Sequence, residues 1–250
     1  MPENANIKGA KASVVAVEAF GAANSSLMLE DKSRMNKLGD AFGVGFNNPP
    51  GHVYEWNMSK AEAREEFTKL CAAVLADPKG TVLNLMVGEK PAGFSVVPEM
   101  TIFTNAVASI NAGKTEKPED FSEVNRQLVK LQRIAQENGH SLDNIGYIAD
   151  VVVSPKFRGH GFGNLLIERS IEISVQNGNT ACLAWTVNPV MCSVLVNSGF
   201  NRLKGIGSTG KGIDFAVDKK TGIIVPTVSV PENKYGKVNA KHYLLDLRRK

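Results

Sequence analysis

Residues 147–176 read YIADVVVSPKFRGHGFGNLLIERSIEISVQ. Residues 148–153 are apolar and rich in β-branched side chains, which predicts a strand. Ser154-Pro155 ends it, because proline has no N–H to give a ladder. Arg158-Gly159-His160-Gly161-Phe162-Gly163 follows, and the apolar residues beyond Gly163 recur at helical spacing. A strand that passes through glycines into a helix start is a device for holding an anion. The first helical turn leaves N–H groups without partners, and glycines let a phosphate approach them closely. A pyrophosphate is the guest this arrangement suits.

Spacing excludes two common phosphate loops. A Walker loop needs Lys and Ser/Thr after its last glycine, and neither follows Gly163. A dinucleotide fingerprint needs Gly-x-Gly-x-x-Gly, and here the third glycine comes one residue early. The loop instead resembles the Arg/Gln-x-x-Gly-x-Gly/Ala signature of the GNAT superfamily of N-acetyltransferases, which cradles the pyrophosphate of acetyl-CoA. Arg158, Gly161 and Gly163 stand at its fixed positions, after a valine-rich strand, Pro155 and Phe157.

A second segment carries the same resemblance. Residues 180–187 (TACLAWTV) read as a buried parallel strand, 188–199 as a short helix, and Gly199-Phe200 opens another strand. The family commonly shows Asn-x-x-Ala-x-x-Leu-Tyr-x-x-x-Gly-Phe here. Asn188, Gly199 and Phe200 keep the separation, while Met191, Val194 and Leu195 replace the alanine, leucine and tyrosine.

The resemblance implies an α/β fold: a twisted mixed sheet of six or seven strands with helices on both faces. The strand of Val151 and the strand of Ala181 are expected to be parallel neighbours that splay apart at the Val153 end. Acetyl-CoA is the implied acetyl donor, with an amine attacking its thioester directly. Val151 and Val153 would offer backbone groups to the pantetheine arm. Arg158, Gly159, His160, Gly161, Phe162, Gly163 and Asn164 would surround the pyrophosphate, with Asn188 nearby. His160, between two glycines, reads as a bystander offering its N–H rather than as a base. Leu195 cannot donate a proton as the usual tyrosine would. Tyr147 and Ser193 are therefore the candidate catalytic groups, with packing or helix-surface roles as the alternative for Ser193 and its neighbour Cys192. By strict alternation Tyr147 shares the face of Val151 and Val153, and Asp150 points to the other face.

Composition agrees with a globular enzyme. With 250 residues, 43% of them hydrophobic and 22% charged, the chain can bury a sizeable core. A net charge of +4 suits a polyanionic cofactor, but no arginine-rich patch with interleaved aromatics argues for nucleic acid. Cys71, Cys182 and Cys192 are scattered in apolar segments, as reduced thiols in a cytoplasmic protein would be. The opening MPENANIKGAK has no apolar signal core, and no run is long enough to span a membrane. The histidines and cysteines lack metal-ligand spacing, so no metal is expected.

Along the chain, residues 1–12 read as a flexible arm and 13–250 as a single domain. Residues 13–20 (SVVAVEAF) suggest a first strand, with the alanines leaving a helix as the alternative. Met35, Leu38 and Phe42 mark a helix over 31–46, with Gly43 and Gly45 loosening its end, and residues 47–51 (NNPPG) form a break. Ser59 and Glu62 fit a capping box, followed by Phe67, Leu70, Cys71 and Val74 on one helix face. TVLNLMV and PAGFSVV across Gly88-Glu89-Lys90 read as a hairpin. Residues 100–144 form an insertion whose helical stripe from Phe121 to Ala135 ends at Gly139. It suits a lid, a dimer face or plain packing on the sheet. The tail, 201–250, extends the domain with a hairpin (213–217 and 222–230), a last strand (242–247) and a solvated basic end.

The Phe-x-x-Pro at the first break, the insertion and the late hairpin look most like the animal arylalkylamine and polyamine branch. Some members place a glutamate before that proline as general base. Here the position is Asn48, which has no useful basicity, and Glu55 is the nearest carboxylate. The expected activity is N-acetylation of a small primary amine by a monomer or homodimer. The rivals are a protein or peptide N-acetyltransferase and a CoA-binding module without turnover.

Overall fold

A computed structural model describes residues 14–47, 59–100, 133, 135–186, 188–202, 215–218, 224–226, 235–238 and 241–248. Residues 1–13, the Asn48 break, Glu55 and most of the 100–144 insertion lie outside the described residues. β1 (Val15–Phe20) pairs antiparallel with β2 (Thr81–Val87), which forms the expected hairpin with β3 (Lys90–Val97). Gly88, at φ 61°, makes its turn. β5 (Asp150–Val153) completes this sheet beside β3. The second sheet runs in the order β4 (Ile145–Tyr147), β6 (Ala181–Thr186), β11 (Lys241–Asp246), β7 (Asn201–Arg202). Its β4–β6 pair is parallel. β4 leads into β5 across Ile148 and Ala149, so two four-stranded sheets adjoin in a mixed α/β fold, where one sheet of six or seven strands was expected.

The join differs from the expected single strand. Ile148 N–H donates to Leu183 O of β6 at 2.9 Å, and Ala149 N–H donates to Val96 O of β3 at 3.0 Å. The parallel pairing thus ends after Ile148, earlier than the Val153 end, and β5 bonds to β3 instead of β6. Val96 is also the register partner of Asp150. Two residues, Ala149 and Asp150, oppose one, which is a β-bulge.

The bulge breaks alternation. Tyr147 pairs in register with Leu183, and Asp150 and Val152 with Val96 and Phe94. Tyr147, Val152, Leu183, Phe94 and Val96 belong to one core cluster. Val151 and Val153 pack into the cluster of the opposite face, with Leu166 and Phe162. The expectation that Tyr147 shares a face with Val151 and Val153 is therefore corrected. One extra residue puts Tyr147 and Asp150 on the same face.

Helices cover both faces. α2 (Lys32–Asn47) and α3 (Lys60–Leu75) bury Met35, Leu38, Phe42, Phe67 and Cys71 against the Tyr147 face. α2 follows a short α1 (Ser25–Leu29). The capping box forms as read: Glu62 N–H donates to Ser59 Oγ at 3.2 Å and Ser59 N–H to Glu62 Oε2 at 2.7 Å. α2 continues through Gly43 and Gly45 rather than loosening. A Cβ at Gly39 would stand 2.7 Å from Arg64 Cα, and one at Gly43 2.7 Å from Ala63 Cβ, so two of its glycines let α2 close on α3. On the other face lie α4 (Phe162–Gln176) and α5 (Pro189–Asn197). Ser95 Oγ of β3 meets Ser170 Oγ of α4 at 2.9 Å.

β8 (Phe215–Asp218) and β9 (Ile224–Pro226) form the expected tail hairpin, and β10 (Tyr235–Val238) pairs with β8 to make a separate antiparallel sheet. The tail's basic end is not merely solvated. Arg248 donates to both carboxylate oxygens of Asp246, at 3.0 and 2.8 Å, and points another nitrogen at Gly139 O, 3.5 Å away. Arg248 thereby ties the last strand to the turn that ends the insertion.

Candidate active site

The glycine loop delivers the chain into α4 through two left-handed residues, Gly159 at φ 82° and Gly161 at φ 79°. Gly161 is the N-cap and offers no side-chain cap, so the leading N–H groups of α4 are left for another acceptor. A Cβ built on Gly159, Gly161 or Gly163 would meet nothing within 4 Å, so the approach is open. Phe162 is buried against Leu83, Leu85 and Leu166 and anchors the helix start. With the ring buried, the N–H is the part of Phe162 that can meet an anion. Asn164 and His160 are exposed, and the His160 ring stands 5.9 Å from that of Phe162. Arg158 is exposed and bends back, its Nε donating to Val153 O at 3.0 Å.

β5 carries the second half of the cradle. Ser154 N–H donates to Ala92 O at 2.8 Å, which sets the parity of bonding to β3. Bonding alternates along an antiparallel strand, so Val151 and Val153 turn their amide groups away from β3. That is the side from which β6 has separated. The backbone there is a strand edge ending at the open start of α4, and an extended, amide-bearing chain tipped by a pyrophosphate fits both parts.

Asn188 closes the loop after β6. Its Oδ1 accepts Val190 N–H at 2.9 Å, so it is the N-cap of α5. Leu195 is 1% exposed and packs with Ile148, Ala184, Cys192 and Tyr243, filling core space where the family's tyrosine would stand. Tyr243 comes from β11 and places its hydroxyl beside Cys192, where burial first, then that thiol, raises its pKa. Ser193 is exposed on α5.

The two candidate catalytic residues are not brought together. Tyr147 lies on the α2–α3 face and Ser193 on a helix covering the other. Tyr147 is 2% exposed, with the Trp185 indole as its hydrogen-bonding neighbour. Burial, and then the charge of Asp150, hold its pKa far above the usual phenol value. Its hydroxyl stays protonated, which suits a donor or a positioning group rather than a base.

Sequence reasoning passed over the carboxylate beside it. Asp150 sits on the bulge, where β4 has left β6 and β5 has joined β3. Its side chain is half-buried, and desolvation alone pushes its pKa up to about 7. It raises the pKa of Cys71 and of Tyr147, so both lie close to it. The signal was present: Asp150 is the one charged residue in 147–155, inside an otherwise apolar run. Strict alternation hid its significance by sending it to the wrong face.

Comparison with known proteins places this geometry. Residues 49–200 match the model of the acetyltransferase (GNAT) family. No curated protein matches the chain. Among solved structures, a Drosophila melanogaster polyamine N-acetyltransferase that forms N-acetylagmatine is similar at TM-score 0.56 and 9% identity, covering 94% of this chain and 100% of that one. An arylalkylamine N-acetyltransferase 2 from Aedes aegypti is similar at TM-score 0.51 and 16% identity, covering 91% and 97%. The C-terminal condensation domain of Ebony, in complex with beta-alanyl-dopamine, is similar at TM-score 0.58 and 7% identity, covering 94% and 100%. At these identities the likeness is one of fold. The family match itself spans more than half of the sequence, from the first break to Phe200. The chain belongs to the acetyltransferase (GNAT) family.

Proposed function

We propose that this acetyltransferase moves the acetyl group of acetyl-CoA to the nitrogen of a small primary amine by direct attack on the thioester. One observation carries the reading. Among the described residues, no strand pairs with the amide groups of Val151 and Val153 on the side where β6 has separated, Val153 O accepting only from Arg158 Nε there, and that edge runs into the uncapped start of α4. An arm with its own amides can complete such an edge as an added strand, while its pyrophosphate takes the α4 N–H groups. Arg158 adds a guanidinium at the same mouth. The names of the two insect structures, acting on agmatine and on arylalkylamines, support an acceptor that is a small amine.

The test is a calorimetric titration with acetyl-CoA, then a thiol-release screen over small amines, peptides with free N-termini and lysine peptides. Acetyl-CoA binding with turnover on amines is the expected result. Turnover on peptides alone would move the acceptor class, and binding without turnover on anything would leave a CoA-binding module.

A further inference from the structure

The acceptor has to reach the thioester from the side that the donor leaves free. α4 and its glycine loop occupy one face of the sheet. The donor's arm, anchored there and lying along β5, leads its thioester toward the bulge at Ala149 and Asp150. Asp150 to Val153 is a rise of roughly 10 Å. The free side at that end is the α2–α3 face, and the groups gathered on it are Tyr147, Asp150, Cys71 and Trp185.

This set has a defined chemistry. Among the described residues, the titratable groups that sense Asp150 are Cys71 of α3 and Tyr147 of β4. The side chains of α2 and β3 in the surrounding cluster, Phe42, Phe94 and Val96, are apolar. Trp185 of β6 is partly open and packs on the same cluster. Among the described residues no cation and no hydrogen-bond donor meets the Asp150 carboxylate, and desolvation is what raises its pKa. A half-buried carboxylate beside a tyrosine, whose own neighbour is a partly open indole, is a receptor for an ammonium group.

We infer that Asp150 receives the ammonium of the acceptor amine and takes its proton, serving as the general base of the acetyl transfer. The inference rests on the reading of the protein as an amine acetyltransferase and deepens it. The ammonium nitrogen gives up two protons in becoming an amide. One passes to Asp150, freeing the lone pair that attacks the thioester carbonyl carbon, and later returns to water. The C–N bond forms, the C–S bond breaks, and the second proton ends on the sulfur of CoA. Burial makes this carboxylate more basic than an ordinary aspartate, bringing it near neutral pH. A cationic primary amine is the acceptor class that follows.

Asp150→Asn keeps the shape and removes the charge, and Asp150→Glu keeps the charge and moves it. Agmatine and tryptamine are titrated calorimetrically into the CoA-saturated protein at pH 8. Rates are followed from pH 5.5 to 9. Wild type should bind at least one amine, and its kcat/KM should rise through an inflection near pH 7. Asp150→Asn should keep acetyl-CoA affinity within about threefold, weaken amine binding, and lower kcat/KM by ~10²–10⁴-fold with that inflection gone. Asp150→Glu should restore part of the rate and the inflection. A purely structural Asp150 would leave the pH profile of the rate in place, whatever the change in melting temperature. Asp150→Asn with rates within threefold of wild type and the same profile would overturn the inference while leaving amine acetylation standing. Failure of wild type to bind either amine while acetyl-CoA binds would also overturn it. Failure to bind acetyl-CoA at all would remove the donor reading first, and this inference with it.

Discussion

Arg158 Nε donates to the carbonyl of Val153 at 3.0 Å, so the loop's guanidinium engages the last backbone acceptor of β5. The same residue thus touches both parts of the proposed cradle, the strand edge and the anion site. Arg158→Ala should weaken acetyl-CoA binding by roughly tenfold, ~1.4 kcal/mol. Arg158→Lys should recover part of that, because the charge returns without the planar Nε donor. Calorimetry at two salt concentrations checks this. The loss should shrink at high ionic strength, and a salt-independent loss would point to the strand contact instead.

Gly161→Asp should abolish acetyl-CoA binding with the fold retained. The new carboxylate opposes the pyrophosphate at the uncapped start of α4. Its Cβ meets nothing within 4 Å, so strain is confined to the left-handed backbone. Aspartate is among the residues that tolerate that region best. The expected loss exceeds about a hundredfold, ~2.7 kcal/mol, with an unchanged circular dichroism spectrum. Near wild-type affinity would count against the cradle.

Ser170→Ala should destabilise the protein by about 1–3 kcal/mol. Ser170 Oγ donates to Leu166 O at 2.7 Å, so in its contact with Ser95 it is the acceptor. Removing it leaves the Ser95 hydroxyl buried with its proton unpaired. Urea denaturation should show a lower midpoint at constant slope.

Ser193→Ala tests the leaving-group side, since Ser193 stands on the face opposite Tyr147. If its hydroxyl protonates the departing thiolate, the maximal rate should fall by ~10²-fold or more, with the acetyl-CoA requirement little changed. Equal rates would remove Ser193 from the mechanism and leave water as the donor.

Stability should depend on pH through Asp150. Its folded pKa of about 7 lies above the ordinary value of 3.8, so the folded state binds this proton more tightly than the unfolded one. Wild type should therefore gain stability as pH falls from 7 toward 4, and carry the full cost of the buried charge above 7. Asp150→Asn should melt higher than wild type at pH 8, by no more than about 4 kcal/mol, with the gap closing near pH 4. A gap independent of pH would show that the carboxylate is not desolvated.

Most of this architecture was legible because periodicity reports burial. Met35, Leu38 and Phe42 marked α2, and Ser59 with Glu62 marked the start of α3, since these patterns are local. The backbone of the glycine loop and the helix after it was legible for the same reason: glycine spacing is local. What the sequence did not disclose was non-local. A bulge is created by which strand bonds to which, so alternation carried across Ala149 gave Tyr147 the wrong face. Gly43 and Gly45 read as loosening the end of α2, whereas Gly43 lets Ala63 of α3 come close, as Gly39 does Arg64. Asp150 was visible as an odd charge in an apolar run, but its meaning needed the register.

The hand-over at Ile148 and Ala149 also makes the protein sensitive to counting. Ala149 is the residue the bulge absorbs; without it, plain alternation from Tyr147 would still keep Asp150 and Val152 on the Tyr147 face and Val151 and Val153 opposite. One further residue placed between Ile148 and Asp150, with β4 held in place and no second bulge, would instead turn Val151 and Val153 toward α2 and α3 and Asp150 toward α4. A shift of one residue would thus exchange the donor and acceptor sides while altering no side chain. Substitutions along 148–153 are open to variation within the limits of packing, whereas an added residue there is not. The length of this segment is itself a functional constraint.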